Sequence, residues 1–208
     1  MIGFDRLGKN GRFGNQMFQY AALKGIAKNN NYDFCIPIGP KTEEGFYDEE
    51  NQHKLFIAFE MPDVKEADNF SGNYLQESTY TFDKNLFENC QDDIKKDWLE
   101  PCKESFGDDE YIGLHIRRTD YVQKQSYHPL CTLDYYERAL KKLPNIQVII
   151  VSDDPEWCRS QELFKPDRFL ISDSDSNIID MCILSLCKYH VIANSSFSWW
   201  GAWLAKSK

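Results

Sequence analysis

Two arginines in succession, Arg117 and Arg118, stand in the string His115-Ile116-Arg117-Arg118-Thr119-Asp120, directly after the apolar run 111–116. That run reads as a buried strand, so both guanidiniums fall at its carboxyl end. Guanidinium is permanently charged and presents a planar donor fork that matches phosphate oxygens, with charge-assisted hydrogen bonds worth roughly 1.5–3 kcal/mol each. The chemistry this suggests is capture of a nucleotide diphosphate. The competing reading is a surface ion pair between Arg118 and Asp120, with Arg117 snorkelling along apolar surface.

Two further polar clusters follow apolar runs: Ser152-Asp153-Asp154 after 147–151, and Asn194-Ser195-Ser196 after 189–193. The second opens a helix, where hydroxyls and unsatisfied backbone N–H groups favour a phosphate. Each cluster also reads as a cap: Ser195 or Ser196 for the last helix, and Asp154 before Pro155 for the helix that follows it. From 111 onward the chain alternates strands (111–116, 147–151, 168–171, 189–193) with helices (133–142, 155–163, 177–187, 196–205), a long loop joining the first pair. Such alternation predicts a mostly parallel sheet whose ligands collect outside the strands' carboxyl ends, so all three clusters are expected to face one cleft.

The first half opens on a short strand, 2–4, then a glycine loop with Gly8, Gly11 and Gly14, then an apolar helix beginning at Met17. Gly11, Arg12, Gly14, Asn15 and Gln16 are candidate ligand contacts, because glycine lets backbone N–H groups approach a bound anion closely. The spacing matches neither the Walker pattern nor Gly-x-Gly-x-x-Gly, and a tight turn explains it equally. Beyond it, 33–38 reads as a strand closed by Pro37 and Pro40, 41–51 as a loop, 55–59 as a helical patch and 69–81 as extended. The stretch 91–100 reads as a charged, mostly exposed helix ended by Pro101. Linker-like composition at 102–110 divides the chain into domains 1–105 and 106–208.

With 208 residues, 42% apolar and 14% aromatic, the chain can build packed cores. A formal charge of −9 argues against nucleic acid as a partner and against anionic membrane surfaces, so any anionic ligand has to be held locally. No apolar stretch is long enough for a transmembrane segment and the first residues lack signal-peptide order, which places the chain in the cytoplasm, with peripheral association at the cytosolic membrane face left open. Seven cysteines without Cys-x-x-Cys spacing specify neither a disulfide framework nor a zinc site, and His128-x-x-Cys131 lacks a second half. No metal site is expected. Asp173-Ser174-Asp175 sits in a polar connection where short side chains serve as turn formers and caps.

The strings from Gly11 to Ala22, His115 to Tyr121, Val151 to Cys158 and Leu184 to Leu204, the last rich in tryptophan, resemble in order and spacing the motifs of the α-1,2-fucosyltransferases, glycosyltransferase family 11. The resemblance implies an α/β, GT-B-like architecture of two Rossmann-like domains with mostly parallel sheets, an acceptor-side N-terminal domain and a donor-binding C-terminal one. It implies inverting transfer of L-fucose from GDP-fucose to a hydroxyl of a galactose-containing glycan, with no cofactor or metal required. Arg117 would contact the diphosphate and neutralise charge as GDP departs. His115, Arg118, Ser152 and Asp153 would join it at the donor; Asn194, Ser195 and Ser196 would complete the phosphate cradle; Asp180 would meet the guanine edge. The Gly11 to Gln16 loop would close over the sugar or the diphosphate. Asp120 is either the general base or a residue that orients Arg117 or Arg118.

The tryptophans of 199–203 span too many helix faces for one sugar platform and are expected in the core, with Gly201 marking close helix–sheet approach. Relatives carry an aromatic stretch where this chain runs from Phe87 into Gln91, and they continue past the tryptophan helix, so the resemblance also implies an incomplete second domain and a missing first-domain strand. The alternative function is a noncatalytic GDP-sugar or glycan-binding relative.

Overall fold

A computed structural model describes residues 1–3, 12–37, 65–67, 73–74, 88–97 and 110–205. The chain forms two compact units, Met1–Leu99 and Glu100–Lys208. The expectations for 8–11, 41–51, 55–59 and most of 69–81 and 98–109 lie outside the described residues.

In the first unit, β1 (Ile2–Gly3) is followed by helix α1 (Phe13–Asn29), then β2 (Phe34–Pro37), β3 (Lys65–Ala67), β4 (Asn73–Tyr74) and helix α2 (Gln91–Asp97). All pairings are parallel, in the order β3-β2-β1-β4. Helix α1 is buried on nearly every side, Met17, Ala21, Ala22 and Leu23 completely, as an apolar sequence of this length requires. It starts at Phe13, so Phe13 to Gln16 are its first turn and not part of a loop: the amides of Asn15 and Gln16 already bond to the Arg12 carbonyl. Its last turn is held by the Asn89 amide, which donates to the Gly25 carbonyl (3.1 Å) and to Asn29 Oδ1 (2.8 Å). Helix α2 is not simply exposed, since Ile94 is fully buried, as is Cys90 just before it. Strand β3, with its charged Lys-Glu sequence, carries no apolar alternation that would announce it.

The second unit runs β5 (Ile112–Ile116), α3 (Thr119–Gln123), α4 (Leu133–Leu140), β6 (Val148–Ser152), α5 (Pro155–Ser160), β7 (Phe169–Ile171), α6 (Asn177–Leu186), β8 (Tyr189–Val191) and α7 (Ser196–Leu204). Its sheet is again fully parallel, in the order β7-β6-β5-β8. The first strand of the unit therefore lies between its second and its fourth, and strand order reverses between β5 and β8. In doubly wound sheets that crevice is where ligands bind. The short helix α3 occupies part of the stretch expected as a loop.

Strand β5 is buried at all five positions, and its alternation sorts the two faces. Ile112, Leu114 and Ile116 pack with Tyr136 and Leu140 of α4 and Cys158 of α5. Gly113 faces the other way, where an added Cβ would lie 3.1 Å from Cys187 and Leu184. The thiols of this core are packing groups, burial raising Cys158 to about 11 and Cys187 to about 12.

Helices α6 and α7 meet at Gly201, whose absent side chain admits Leu184; the close approach is helix on helix, not helix on sheet. Trp200 is fully buried, whereas Trp199 and Trp203 are part-exposed and stacked at 5.8 Å. No helix among the described residues is long and apolar enough to cross a membrane.

An alanine at 201 would place its Cβ 2.7 Å from Leu184 Cβ. Overpacking of this kind costs about 1–3 kcal/mol and exceeds the roughly 1 kcal/mol that alanine gains over glycine in a helix. Urea unfolding of Gly201→Ala is expected to show lower stability than wild type; a gain would contradict this packing.

Candidate active site

Strand β5 ends at Ile116, and the next two residues diverge. Arg117 binds Asp153 through Nη1 and Asp120 through Nη2, and its guanidinium lies 5.2 Å from the Tyr121 ring. Arg118 turns to α5, its Nε 3.1 Å from Asp154 Oδ2 and its guanidinium 3.8 Å over the Trp157 ring. The side chains are only 12% and 19% exposed, so neither snorkels. The i, i+2 pair of Arg118 with Asp120 is replaced by these pairings, because a helical turn begins at Thr119 and brings Asp120 back beneath Arg117.

Asp153, just past β6, is the organising anion. It accepts from the Arg118 backbone N–H (2.8 Å), the Thr119 hydroxyl and Arg117. Donors from three consecutive residues thus converge on one carboxylate, the set of groups that also suits a phosphate oxygen. Asp154 caps α5, accepting the Trp157 N–H at 3.2 Å ahead of Pro155 at the first helical position. Ser152 serves the same turn, its hydroxyl accepting the Asp154 amide at 3.0 Å. Ser152 and Arg118 therefore fix the β6–α5 corner.

Across the reversal, Ser195 caps α7, accepting from Phe197 N, with Ser196 as its first residue. Asn194 instead grips the segment before α4: its Nδ2 donates to the Pro129 carbonyl (2.8 Å) and its Oδ1 lies 3.8 Å from Cys131 Sγ. The Tyr121 hydroxyl donates to the Asn194 carbonyl (3.2 Å) and the Tyr135 hydroxyl to that of Ile192 (2.7 Å). The segment from the end of β5 through the first turn of α4 is thereby strapped to the β8–α7 connection, and Tyr121 joins Arg117 to the head of α7.

His115 points inward. It is 5% exposed, with Nδ1 on the Ser198 hydroxyl and its ring 5.2 Å from Phe197. Ser198 Oγ accepts the Ala193 amide (3.0 Å), which leaves its proton for Nδ1; this pattern assigns a neutral imidazole protonated at Nε2. Burial depresses its pKa to about 4, with the Asp153 charge opposing and the Arg117 charge adding to that shift. His115 thus joins β5 to α7 from beneath.

Asp180 lies elsewhere along the same edge. It accepts from the Ser172 hydroxyl (2.9 Å) just past β7, two strands and roughly 10 Å from β5. Burial lifts its carboxyl to about 6, against the Ser172 bond, with the Asp175 charge adding to the rise. Asp173, of the Asp-x-Asp string, pairs with Arg159. Arg12, Gly14, Asn15 and Gln16 belong to the first unit, where Gly14 and Gln16 are buried within α1; Gly11 is outside the described residues. Thr119, Tyr121 and Trp157 stand inside the motif strings, where the sequence assigns them no role of their own. Their signal was spacing: Tyr121 is four residues after Arg117, and Trp157 three after the cap Asp154.

An open depression of about 550 Å³ lies at the opposite, amino-terminal edge of the sheet, between Glu110, Tyr111, Asn145, Gln147 and Arg168. Glu110 is paired with Lys188 and Arg168 with Asn145, so no set of cationic donors converges there.

Two Rossmann-like units with parallel sheets, the second carrying an arginine cluster at its reversal, define a GT-B-like protein. The fold resembles that of NodZ α-1,6-fucosyltransferase soaked with GDP-fucose, with a TM-score of 0.56 at 15% identity over 98% of this chain and 92% of that one. The model of glycosyl transferase family 11 matches residues 49–208, and the chain belongs to this family. It is 42% identical over 103 residues to the α-1,2-colitosyltransferase of Escherichia coli, covering 45% of this chain and 36% of that protein. It is 25% identical over 240 residues to galactoside α-(1,2)-fucosyltransferase 1 of Leontocebus fuscicollis, covering 94% and 64%. The chain thus spans about a third of the first relative's length and under two thirds of the second's.

The His115 burial has a pH signature. Its folded pKa is below the ordinary 6.5, so the unfolded chain binds the proton more readily, and stability falls as pH drops from 6.5 towards about 4. The loss is on the order of 3 kcal/mol. Asp180, raised to about 6, acts in the opposite sense over part of this range, so the test is a difference. Urea unfolding of wild type and His115→Gln at several pH values is expected to show wild type losing relative stability on acidification; parallel profiles would contradict the assignment.

Proposed function

We propose that this chain transfers L-fucose from GDP-fucose to a hydroxyl of a galactose-containing glycan, in α-1,2 linkage and with inversion at the anomeric carbon. The observation that carries the reading is Arg117, held at the strand reversal between two carboxylates, with hydroxyl and amide donors beside it. Family membership and the activities of the fucosyl- and colitosyltransferase relatives support the sugar and the linkage.

In this reading the acceptor oxygen attacks the anomeric carbon as its bond to the diphosphate breaks, and the bonding electron pair leaves with GDP. Arg117 meets the growing negative charge on the diphosphate, a contribution largest when charge is most developed. The resting cluster sets two guanidiniums against three carboxylates, so the diphosphate has to replace a carboxylate on Arg117 and cannot merely add to it. Asp120 is the group displaced: it is the more exposed of the two partners of Arg117, 33% against 21%. Once released it can accept the acceptor proton, so orienting Arg117 and acting as base become successive duties of one residue. Asp153 stays as the anchor. Asn194, Ser195 and Ser196 line the other wall, and Asp180, one nucleoside's reach along the edge, receives the guanine. The first unit serves the acceptor side, and its residues Gly11, Arg12, Gly14, Asn15 and Gln16 serve the sugar or the diphosphate. The reading assigns no resident metal or cofactor.

Incubating the chain with GDP-fucose and a lactose-type acceptor, and measuring GDP release together with the new glycoside, tests this directly. Turnover is expected, and Arg117→Ala should lower it about 10²–10³-fold with the fold intact. Donor binding without turnover would reassign the chain as a binding relative, and undiminished turnover in Arg117→Ala would remove Arg117 from the mechanism.

A further inference from the structure

Among the described residues, the aromatic ring set against Arg117 is that of Tyr121. Its ring lies 5.2 Å from the guanidinium, and it is stacked on His128 with centroids 4.5 Å apart and planes within 12°. Its hydroxyl donates to the Asn194 carbonyl at 3.2 Å, just before the cap of α7. The ring is thus held by three contacts: a cation, a stacked imidazole and, at its hydroxyl, a backbone carbonyl. Burial raises the phenol above its ordinary value, which keeps it neutral and a donor.

The partners of Arg117 differ in how they respond to a second anion. Asp120 and Asp153 carry the same sign as a diphosphate and compete with it for donors. An aromatic face attracts a guanidinium through its quadrupole without adding negative charge. It can hold the group while phosphate oxygens take the place of a carboxylate. We propose that Tyr121 is a positioning residue for Arg117: its ring keeps the guanidinium at the strand reversal when a nucleoside diphosphate displaces Asp120, and the His128 stack holds the ring. This rests on the donor-binding reading of the site and adds to it a residue acting through Arg117.

The role lies in the ring face, so phenylalanine should replace tyrosine and leucine should not. Calorimetric titration of GDP is expected to give Tyr121→Phe an affinity within about threefold of wild type and Tyr121→Leu one about tenfold weaker. Tyr135→Phe removes another bond between the strap and the β8 connection, that to the Ile192 carbonyl, without touching Arg117, and should bind GDP like wild type. Wild-type affinity in Tyr121→Leu would overturn the proposal. So would equal losses in the Phe and Leu variants, which would place the role in the hydroxyl, or equal losses in Tyr121→Leu and Tyr135→Phe, which would reduce it to strap stability. Failure of wild type itself to bind GDP is a separate result that sinks the donor-binding reading and this inference with it.

Discussion

A cation at the end of a fully buried strand needs compensation where the strand stops. Every residue of β5 is buried, and Arg117 follows it immediately with a side chain 12% exposed. Desolvating a guanidinium is unfavourable unless opposite charge and hydrogen bonds accompany it. The corner is built around that demand. Asp153 arrives from the neighbouring strand, Asp120 from the first turn of α3, and Tyr121 one residue later. Parallel pairing makes this possible, because it places the ends of β5 and β6 side by side, with Ile116 opposite Ser152.

The paired arginines carry different tasks although they are adjacent. Successive side chains leave a strand end on opposite sides, so Arg118 meets α5 while Arg117 meets the reversal. Trp157 and Asp154 hold Arg118 to the helix that starts the next crossover, and the β6–α5 corner becomes rigid. On the other flank, His115 and Ser198 tie β5 to α7 in the interior, and Asn194 ties the strap to the β8 connection. Arg117 therefore sits between two braced walls, with its carboxylates as exchangeable partners. A chain of formal charge −9 has no long-range field to draw in an anion, so this local arrangement has to do so.

The second unit was far more legible than the first. Its four strands are apolar runs ended by polar residues, and two of its helices announce themselves by caps: Asp154 before Pro155, and Ser195. Which groups would pair was not legible, because pairing depends on side-chain direction and on strand order. Spacing alone leaves Asp120 open to Arg117 or to Arg118; the helical turn at Thr119 gives that carboxylate to Arg117. His115 looked like a donor contact by its neighbours in the string, but strand alternation turns it inward with Gly113. In the first unit the glycine-rich string concealed that a helix begins at Phe13, since Gly14 and Asn15 are weak helix formers overridden by the packing of α1.

The central claim is that a nucleoside diphosphate binds at the β5–β8 reversal through Arg117. Titrating GDP into the isotopically labelled chain and following its backbone amides by NMR tests this most directly. The account predicts perturbations at residues 117–121, 153–154 and 194–196, led by the amide of Asp120, whose carboxylate the diphosphate releases from Arg117. Shifts confined to the amino-terminal edge, around Glu110, Asn145 and Arg168, would contradict it.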